Sequence, residues 1–423
     1  MMHTLLMLAA ATVCCSVTPD RSDRLYKVGE LATYTVTVTT PDGHPAREGK
    51  LTARLDNFGV KKLASAEWNL ALTNVFTIAG KLDEPGFLRL SLEGCGLDHF
   101  ARSVGYEPKR IVKGSPSPRD FDVFWAAARR RYAEEVDFDP QVTPVPERST
   151  EAFDFYRLSF ATYGRRVYGY LSVPKGGEGP FPLDFEVCAA GFGDWTNDMR
   201  GESNRIVAKM SVYPFEPDWR WRELNLREKY DALNAAMQAR YGAAYSVAGL
   251  TESREAYFFY PVLLAFDREV DWLLEHYAVD RSRVWYHGTS QGGGFGFYLC
   301  GLNRAFTRAA FFVPAITDTM GSRAGRADGW PNVTHGGNRA TTEKRAAVER
   351  NAPYFDGANF ASRITCPVRV LVGFADLTCP ACAVYASYNE IPVKDKAIVH
   401  GYDMPHTVDA KLMGPMLEWL FKN

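Results

Sequence analysis

The sequence predicts an α/β chain, in which a doubly wound, mostly parallel sheet covered by helices on both faces follows a small all-β sandwich. Three observations carry this. From Leu25 to Arg110 apolar residues recur at every second position between turn-forming residues, and no segment there has a helical period. After Ser115, nearly continuous apolar runs of strand length alternate with long amphipathic helices, as in a parallel sheet buried on both faces. The 423 residues, 46% of them hydrophobic, supply enough core for more than one domain.

In chain order, "MMHTLLMLAAATVCCSVTPDRSD" has an apolar stretch ending in small residues, too short to span a bilayer, and reads as an export leader over residues 1–17. Its start lacks the usual Lys or Arg. Cys14 and Cys15 fall where a lipid-attachment cysteine would lie, although "ATVC" departs from that consensus. "LATYTVTVTTPDG" puts Ala32, Tyr34, Val36 and Val38 on one face and closes in a turn; "LTARL" and "FLRLSLEG" alternate in the same way. Residues 18–112 are therefore expected to form an immunoglobulin-like sandwich.

"KGSPSPRDF" marks a linker, and residues 113–423 form the second domain. It opens with an amphipathic helix, "RDFDVFWAAARRRYAEE", and a hairpin turning at Tyr163-Gly164. The strand-length runs are "LDFEVCAA", "RIVAKMSV", "RVWYHG", "RAAFFVPA" and "PVRVLVGFA". In "AYFFYPVLLAFDREVDWLLEHY", Phe259, Val262, Phe266, Val270 and Leu273 share one helical face, and Pro261 fits in the first turn.

Forty-nine Lys and Arg against fifty Asp and Glu, with no long run of one sign, argue against a nucleic-acid or anionic-membrane partner and favour a small or neutral one. Beyond Cys14 and Cys15, the cysteines at 95, 188, 300, 366, 379 and 382 are scattered, which excludes a disulfide-framework protein.

Gly288-Thr289-Ser290-Gln291-Gly292 matches G-x-S-x-G between a core strand, "RVWYHG", and a glycine-rich helix, "QGGGFGFYLCGL". That strand, tight turn and helix expose a serine hydroxyl above the sheet, making Ser290 the candidate nucleophile. A serine needs a base, and the base an orienting carboxylate, in the chain order Ser, Asp/Glu, His. Asp376 ends the run "PVRVLVGFAD", and His406 lies in the loop after "KAIVHG". The rivals are His400, inside a strand pattern, and Asp395 and Asp403, in a turn and in the histidine's own loop. The oxyanion would take the Gln291 N–H and the Phe192 N–H, the latter from "EVCAAGFGDW". Cys379-x2-Cys382 with His400 and His406 imitates zinc spacing, but the helix-like "AVYASYNEI" intervenes, and His406 cannot serve both roles. No metal or organic cofactor is expected, and a buried thiol pair or local disulfide is the plainer reading of "CPAC".

"FDVFWAAARRR", "YGYLSVPKG", "GTSQGG", "APYFDGANFASRITCPVRVLVGFADLTCP" and "YASYNEI" resemble, in that order, the acetyl xylan esterase and cephalosporin-C deacetylase family of α/β-hydrolases. The resemblance runs from about Ser115 to the C-terminus. It implies an exported serine esterase that removes acetyl groups from xylan-derived or other carbohydrate esters, and a homo-oligomer. By the same resemblance Ser290, Asp376 and His406 form the triad, and Phe192 occupies the aromatic position of the oxyanion loop. The family's His-Gly-Tyr is here Ala190-Gly191-Phe192, "YPFEPD" replaces its "RGQG", and "TVD" replaces its Glu-Gly-Gly. These departures bear on pocket shape and subunit contacts. A broad carboxylesterase or peptidase, or a carbohydrate-binding protein with a retired hydrolase domain, are the alternative readings of the same residues.

Overall fold

The computed structural model describes residues 13–177, 179–191, 199–217, 226–334 and 340–422. The first eight strands are β1 (Cys14–Pro19), β2 (Leu25–Tyr26), β3 (Ala32–Thr39), β4 (Lys50–Asp56), β5 (Lys62–Asn69), β6 (Val75–Gly80), β7 (Gly86–Gly94) and β8 (Leu97–Tyr106). They form a three-stranded sheet, β1-β3-β6, and a five-stranded sheet, β2-β8-β7-β4-β5. The period of two in the sequence is the reason. Ala32, Tyr34, Val36 and Val38 point inward with no exposure, sharing a core with Leu51, Ala53 and Leu55 of β4 and Leu88, Leu90 and Leu92 of β7.

β1 starts inside the segment expected to be a leader and pairs with β3 from Cys14↔Thr39 to Pro19↔Tyr34. Val13 is buried and donates its N–H to the Cys95 carbonyl at 3.2 Å. The sandwich therefore begins upstream of the expected boundary between residues 17 and 18, because Val13 and Val17 supply apolar faces that its core uses.

The second part contains α1 (Phe121–Glu135), β9 (Gln141–Pro144), β10 (Phe153–Thr162), β11 (Arg165–Pro174), β12 (Phe181–Val187), β13 (Ile206–Ser211), α2 (Leu226–Tyr241), α3 (Phe259–His276), β14 (Val279–Thr289), α4 (Gln291–Leu302), β15 (Arg308–Phe312), α5 (Thr342–Asn351), α6 (Gly357–Ala361), β16 (Val368–Gly373), α7 (Ala381–Glu390), β17 (Lys396–Gly401) and α8 (Ala410–Leu420). Its nine strands lie in the order β17-β16-β15-β14-β12-β13-β11-β10-β9. From β12 to β17 neighbouring strands are parallel, and β11, β10 and β9 add an antiparallel edge. After β12 the chain goes to β13 on one side and returns to β14 on the other. Open α/β sheets place their ligands at such a reversal of strand order. No helix among the described residues is long and apolar enough to cross a membrane.

The two parts share apolar core: Phe58 and Phe87 of the sandwich belong to the main cluster of the larger domain. The linker is fixed as well, since the Gly114 and Ser115 N–H groups donate to Asp318 Oδ1 at 2.7 and 3.2 Å. Helix α3 backs the serine-bearing helix, with Phe259 and Phe266 at 5.2 and 5.8 Å from the Phe295 ring of α4. On α3, Glu269 is fully buried, and neither carboxyl oxygen has a hydrogen-bond partner among the described residues. Burial raises its pKa well above the ordinary glutamate value.

The folded state thus keeps a proton that the unfolded chain releases above about pH 4.3. The stability associated with that retained proton is present at low pH and falls as pH rises, by up to about 1.4 kcal/mol per unit until the folded pKa is reached. Glu269→Gln removes this slope, so its stability relative to the parent is expected to grow steadily between about pH 5 and pH 8. Urea unfolding across that range checks it, and identical pH slopes for the two proteins would refute it.

Candidate active site

Ser290 stands between β14 and α4 with φ 56° and ψ −117°, a conformation that L side chains rarely adopt. Three backbone bonds hold it there. Its N–H donates to the Phe312 carbonyl at 2.9 Å, and its own carbonyl accepts from Gly294 and Ala315 N–H at 3.0 and 2.9 Å. The flanking glycines are required by space, since a Cβ at Gly288 would lie 2.5 Å from the Gly292 carbonyl carbon. One at Gly292 would lie 2.0 Å from the Val187 oxygen. The turn can therefore sit tight between β12 and β14, with the positive end of the helix α4 dipole directed at the serine.

Asp376 follows β16 by three residues and is fully buried. Its Oδ1 accepts the Thr378 and Cys379 N–H groups, both at 2.8 Å, which leaves Oδ2 to face the imidazole. His406 lies in the loop between β17 and α8, with Nδ1 2.8 Å from Asp376 Oδ2 and Nε2 2.9 Å from Ser290 Oγ. A carboxylate only accepts, so Nδ1 carries the hydrogen and Nε2 is left as acceptor for the serine hydroxyl. That arrangement can draw a proton from Ser290 Oγ. The serine is 9% exposed, which keeps bulk water from competing for this bond.

The rival residues are engaged elsewhere. His400 stays in β17 with Nε2 2.6 Å from the Tyr385 hydroxyl, and burial lowers its pKa. Asp395 pairs with Arg369 at 2.7 Å, and Asp403 pairs with Arg24 and Arg102, both at 2.9 Å. Cys379 and Cys382 are buried, unbonded thiols. Asp376, Cys379 and His406 are the one group among the described residues whose donor atoms lie within 4.8 Å of one another. Their atoms are already engaged, with Asp376 Oδ2 facing His406 Nδ1 at 2.8 Å and Oδ1 accepting the Thr378 and Cys379 N–H groups. The zinc spacing weighed from the sequence is not assembled, since His400 is turned to Tyr385.

Gln291 opens α4, so its N–H is among the first helical donors that have no partner within the helix. Phe192 lies outside the described residues. Two residues that the sequence did not single out connect Gly191 to Gln291. Gly191 N–H donates to the Tyr213 hydroxyl at 2.9 Å, the Tyr213 hydroxyl lies 3.1 Å from that of Tyr245, and Tyr245 donates to Gln291 Oε1 at 2.8 Å. Because Tyr245 uses its hydrogen on Gln291, Tyr213 must donate to Tyr245, and the chain runs in one direction. Burial raises both phenols well above their ordinary pKa, so both remain donors. Tyr213 extends the apolar run "RIVAKMSVY", a possible signal, whereas nothing local marks Tyr245.

A chain that crosses back over β12 and presents a serine at the turn after β14 has the α/β-hydrolase fold. Within that class, the acetyl xylan esterase (AXE1) family matches residues 107–420. The chain belongs to this family and is a carboxylic ester hydrolase. An acetyl esterase of Xylanibacter ruminicola is 29% identical to it over 388 residues, covering 90% of this chain and 84% of that protein. The solved acetyl xylan esterase from a Paenibacillus species superposes with a TM-score of 0.60 at 20% identity, covering 74% of this chain and 98% of that one. One from a Thermoanaerobacterium species gives 0.59 at 20% identity, with coverages of 74% and 96%. The family match begins after the sandwich. The alignment with the Xylanibacter protein must reach into it, since residues before 107 make up more than a tenth of the chain.

Tyr245→Phe deletes the donor to Gln291 Oε1 and strands the Tyr213 hydroxyl, leaving buried polar atoms unpaired. A loss of about 1–3 kcal/mol is expected in urea unfolding. A loss below about 0.5 kcal/mol would show that the tyrosine chain carries no strain-bearing role.

Proposed function

We propose that the protein is a serine esterase that removes acetyl groups from xylan-derived or other carbohydrate esters through a covalent acyl-enzyme. The observation that carries this reading is the continuous relay of 2.9 and 2.8 Å from Ser290 Oγ through His406 to Asp376. Membership of the acetyl xylan esterase family supports the choice of an acetylated carbohydrate.

In this mechanism Ser290 Oγ attacks the acetyl carbonyl while its proton passes to His406 Nε2. Asp376 keeps the imidazole in the tautomer that can accept, and stabilises the imidazolium once formed. Negative charge on the tetrahedral oxygen is met by the Gln291 N–H and the expected Phe192 N–H. Collapse breaks the bond to the sugar oxygen, which takes the proton from His406 and leaves as an alcohol. Water, deprotonated by His406, then attacks the acetyl-serine, and acetate departs as Ser290 regains its hydrogen.

Export belongs to the same reading, supported by the apolar segment that opens the chain. Removal after residue 17 would cut β1 in two.

The parent and Ser290→Ala are to be compared on aryl acetate, aryl butyrate, acetylated xylo-oligosaccharide and a peptide amide. The parent is expected to release acetate from the first and third, and Ser290→Ala to lose at least about 10⁴-fold in kcat. Acetate release retained by Ser290→Ala, or absent from the parent, overturns the mechanism. Butyrate turnover equal to acetate turnover replaces the acetyl-specific reading with a broad carboxylesterase, and cleavage of the amide with a peptidase.

A further inference from the structure

Two residues of the sandwich, adjacent on β8, reach two different loops of the active site. Arg102 Nε lies 2.9 Å from Asp403 Oδ1, three residues before His406. Ser103 Oγ, fully buried, donates to the Phe374 carbonyl, two residues before Asp376. From the turn before β2, Arg24 completes the contact. Its Nη1 donates to Asp403 Oδ1 at 2.9 Å and to the Tyr402 carbonyl at 3.0 Å, and its Nη2 donates to Asp403 Oδ2 at 3.1 Å. Arg24 holds φ 51°, unusual for a residue with a side chain, and its guanidinium is nearly buried.

The Asp403 side chain is 58% exposed while those of Arg24 and Arg102 are 10% and 23% exposed, so geometry rather than charge alone makes this contact specific. A bidentate guanidinium–carboxylate fork fixes direction as well as distance, and a carbonyl bond from the same group pins the backbone of the histidine loop. The two arginines would repel each other without Asp403 between them. The two loops are also joined directly: Phe374 N–H donates to Gly401 O at 2.9 Å, and Ala375 N–H to Met404 O at 3.2 Å. Beneath them the Phe87 ring of the sandwich meets the Phe374 ring edge-on at 5.0 Å. The sandwich thus grips one rigid unit that carries both the acid and the base.

We propose that the N-terminal sandwich is a positioning element of the active site, in which Arg24, Arg102 and Ser103 hold the His406 loop and the Asp376 strand end in register with Ser290. It rests on the reading of Ser290, His406 and Asp376 as the triad. The residues are positioning residues, acting through His406 and Asp376 without touching the substrate. They set the rate of acyl transfer and leave binding of the ester unchanged, because a small displacement of the base from the serine hydroxyl weakens proton transfer without altering the pocket.

The test uses the full-length chain and an aryl acetate, with kcat and KM measured at a temperature where each variant is shown to be folded. Arg24→Gln/Arg102→Gln is expected to lower kcat by about 10- to 100-fold with KM within about twofold. Arg102→Lys, which can keep the single charged contact, is expected to retain kcat within about threefold, whereas Arg24→Lys, which loses the fork, is not. Ser103→Ala supplies an uncharged variant should the double variant fail to fold, with an expected loss of about three- to tenfold in kcat. A kcat within twofold of the parent for both, or a rise in KM at unchanged kcat, overturns the proposal. Ser290→Ala, run alongside, separates the two readings: its activity surviving removes the triad, while its loss with unaffected clamp variants removes only the positioning role.

Discussion

Ser290 occupies a backbone conformation that costs free energy, and it persists because everything around the turn has been built to hold it. At φ 56° the serine depends on carbonyl and N–H partners from β15 and the loop after it, and on glycines at 288 and 292 that let β12 and α4 close to contact distance. A turn this tight can form only where two parallel strands and a helix are already fixed. The elbow is thus a consequence of the sheet order, in which the chain leaves β12 on one side and returns beside it as β14. The same reversal is where open α/β sheets place their ligands, and Ser290 stands at it.

Around that fixed point Asp376 and His406 arrive from successive strands on one side of the sheet. Asp376 ends one edgeward strand and His406 follows the next, so the parallel pairing of β16 with β17 brings them to the same end of the sheet. The N–H groups of Thr378 and Cys379 occupy one carboxylate oxygen and aim the other at the imidazole. From the opposite side, Tyr213 and Tyr245 connect the loop after β12 to the first residue of α4. Polar groups in such a low-dielectric setting stabilise strongly when every partner is present and cost heavily when one is missing. Asp376, His406, Tyr213 and Tyr245 have such partners, whereas the Glu269 carboxyl behind them has none among the described residues.

The sandwich was legible as a separate β-rich unit because its alternation is local. Its contacts with the larger domain were not legible, since Arg24, Arg102 and Ser103 sit in a β pattern like any other. Asp403 illustrates the difficulty. In the sequence it competes with Asp376 for one role, being a carboxylate near the histidine; in space it is paired with two arginines of the sandwich, Arg24 and Arg102, each more than three hundred positions upstream. His400 likewise differs from His406 only by position in a strand or a loop, and the strand holds it against Tyr385.

The sequence alone determined the α/β class, the alternating faces of the sandwich strands, the strand-turn-helix context of Ser290 and the chain order that selected Asp376 and His406. Each of these follows from neighbours within a few residues, or from spacing that a fold class imposes. Only the tertiary structure decided that β1 pairs with β3, that the tyrosines reach Gln291, that Cys379 and Cys382 remain thiols, and that the sandwich touches the loops of both Asp376 and His406. Those features depend on which distant segments pack side by side, and hydrogen bonds across such packing have no periodicity along the chain.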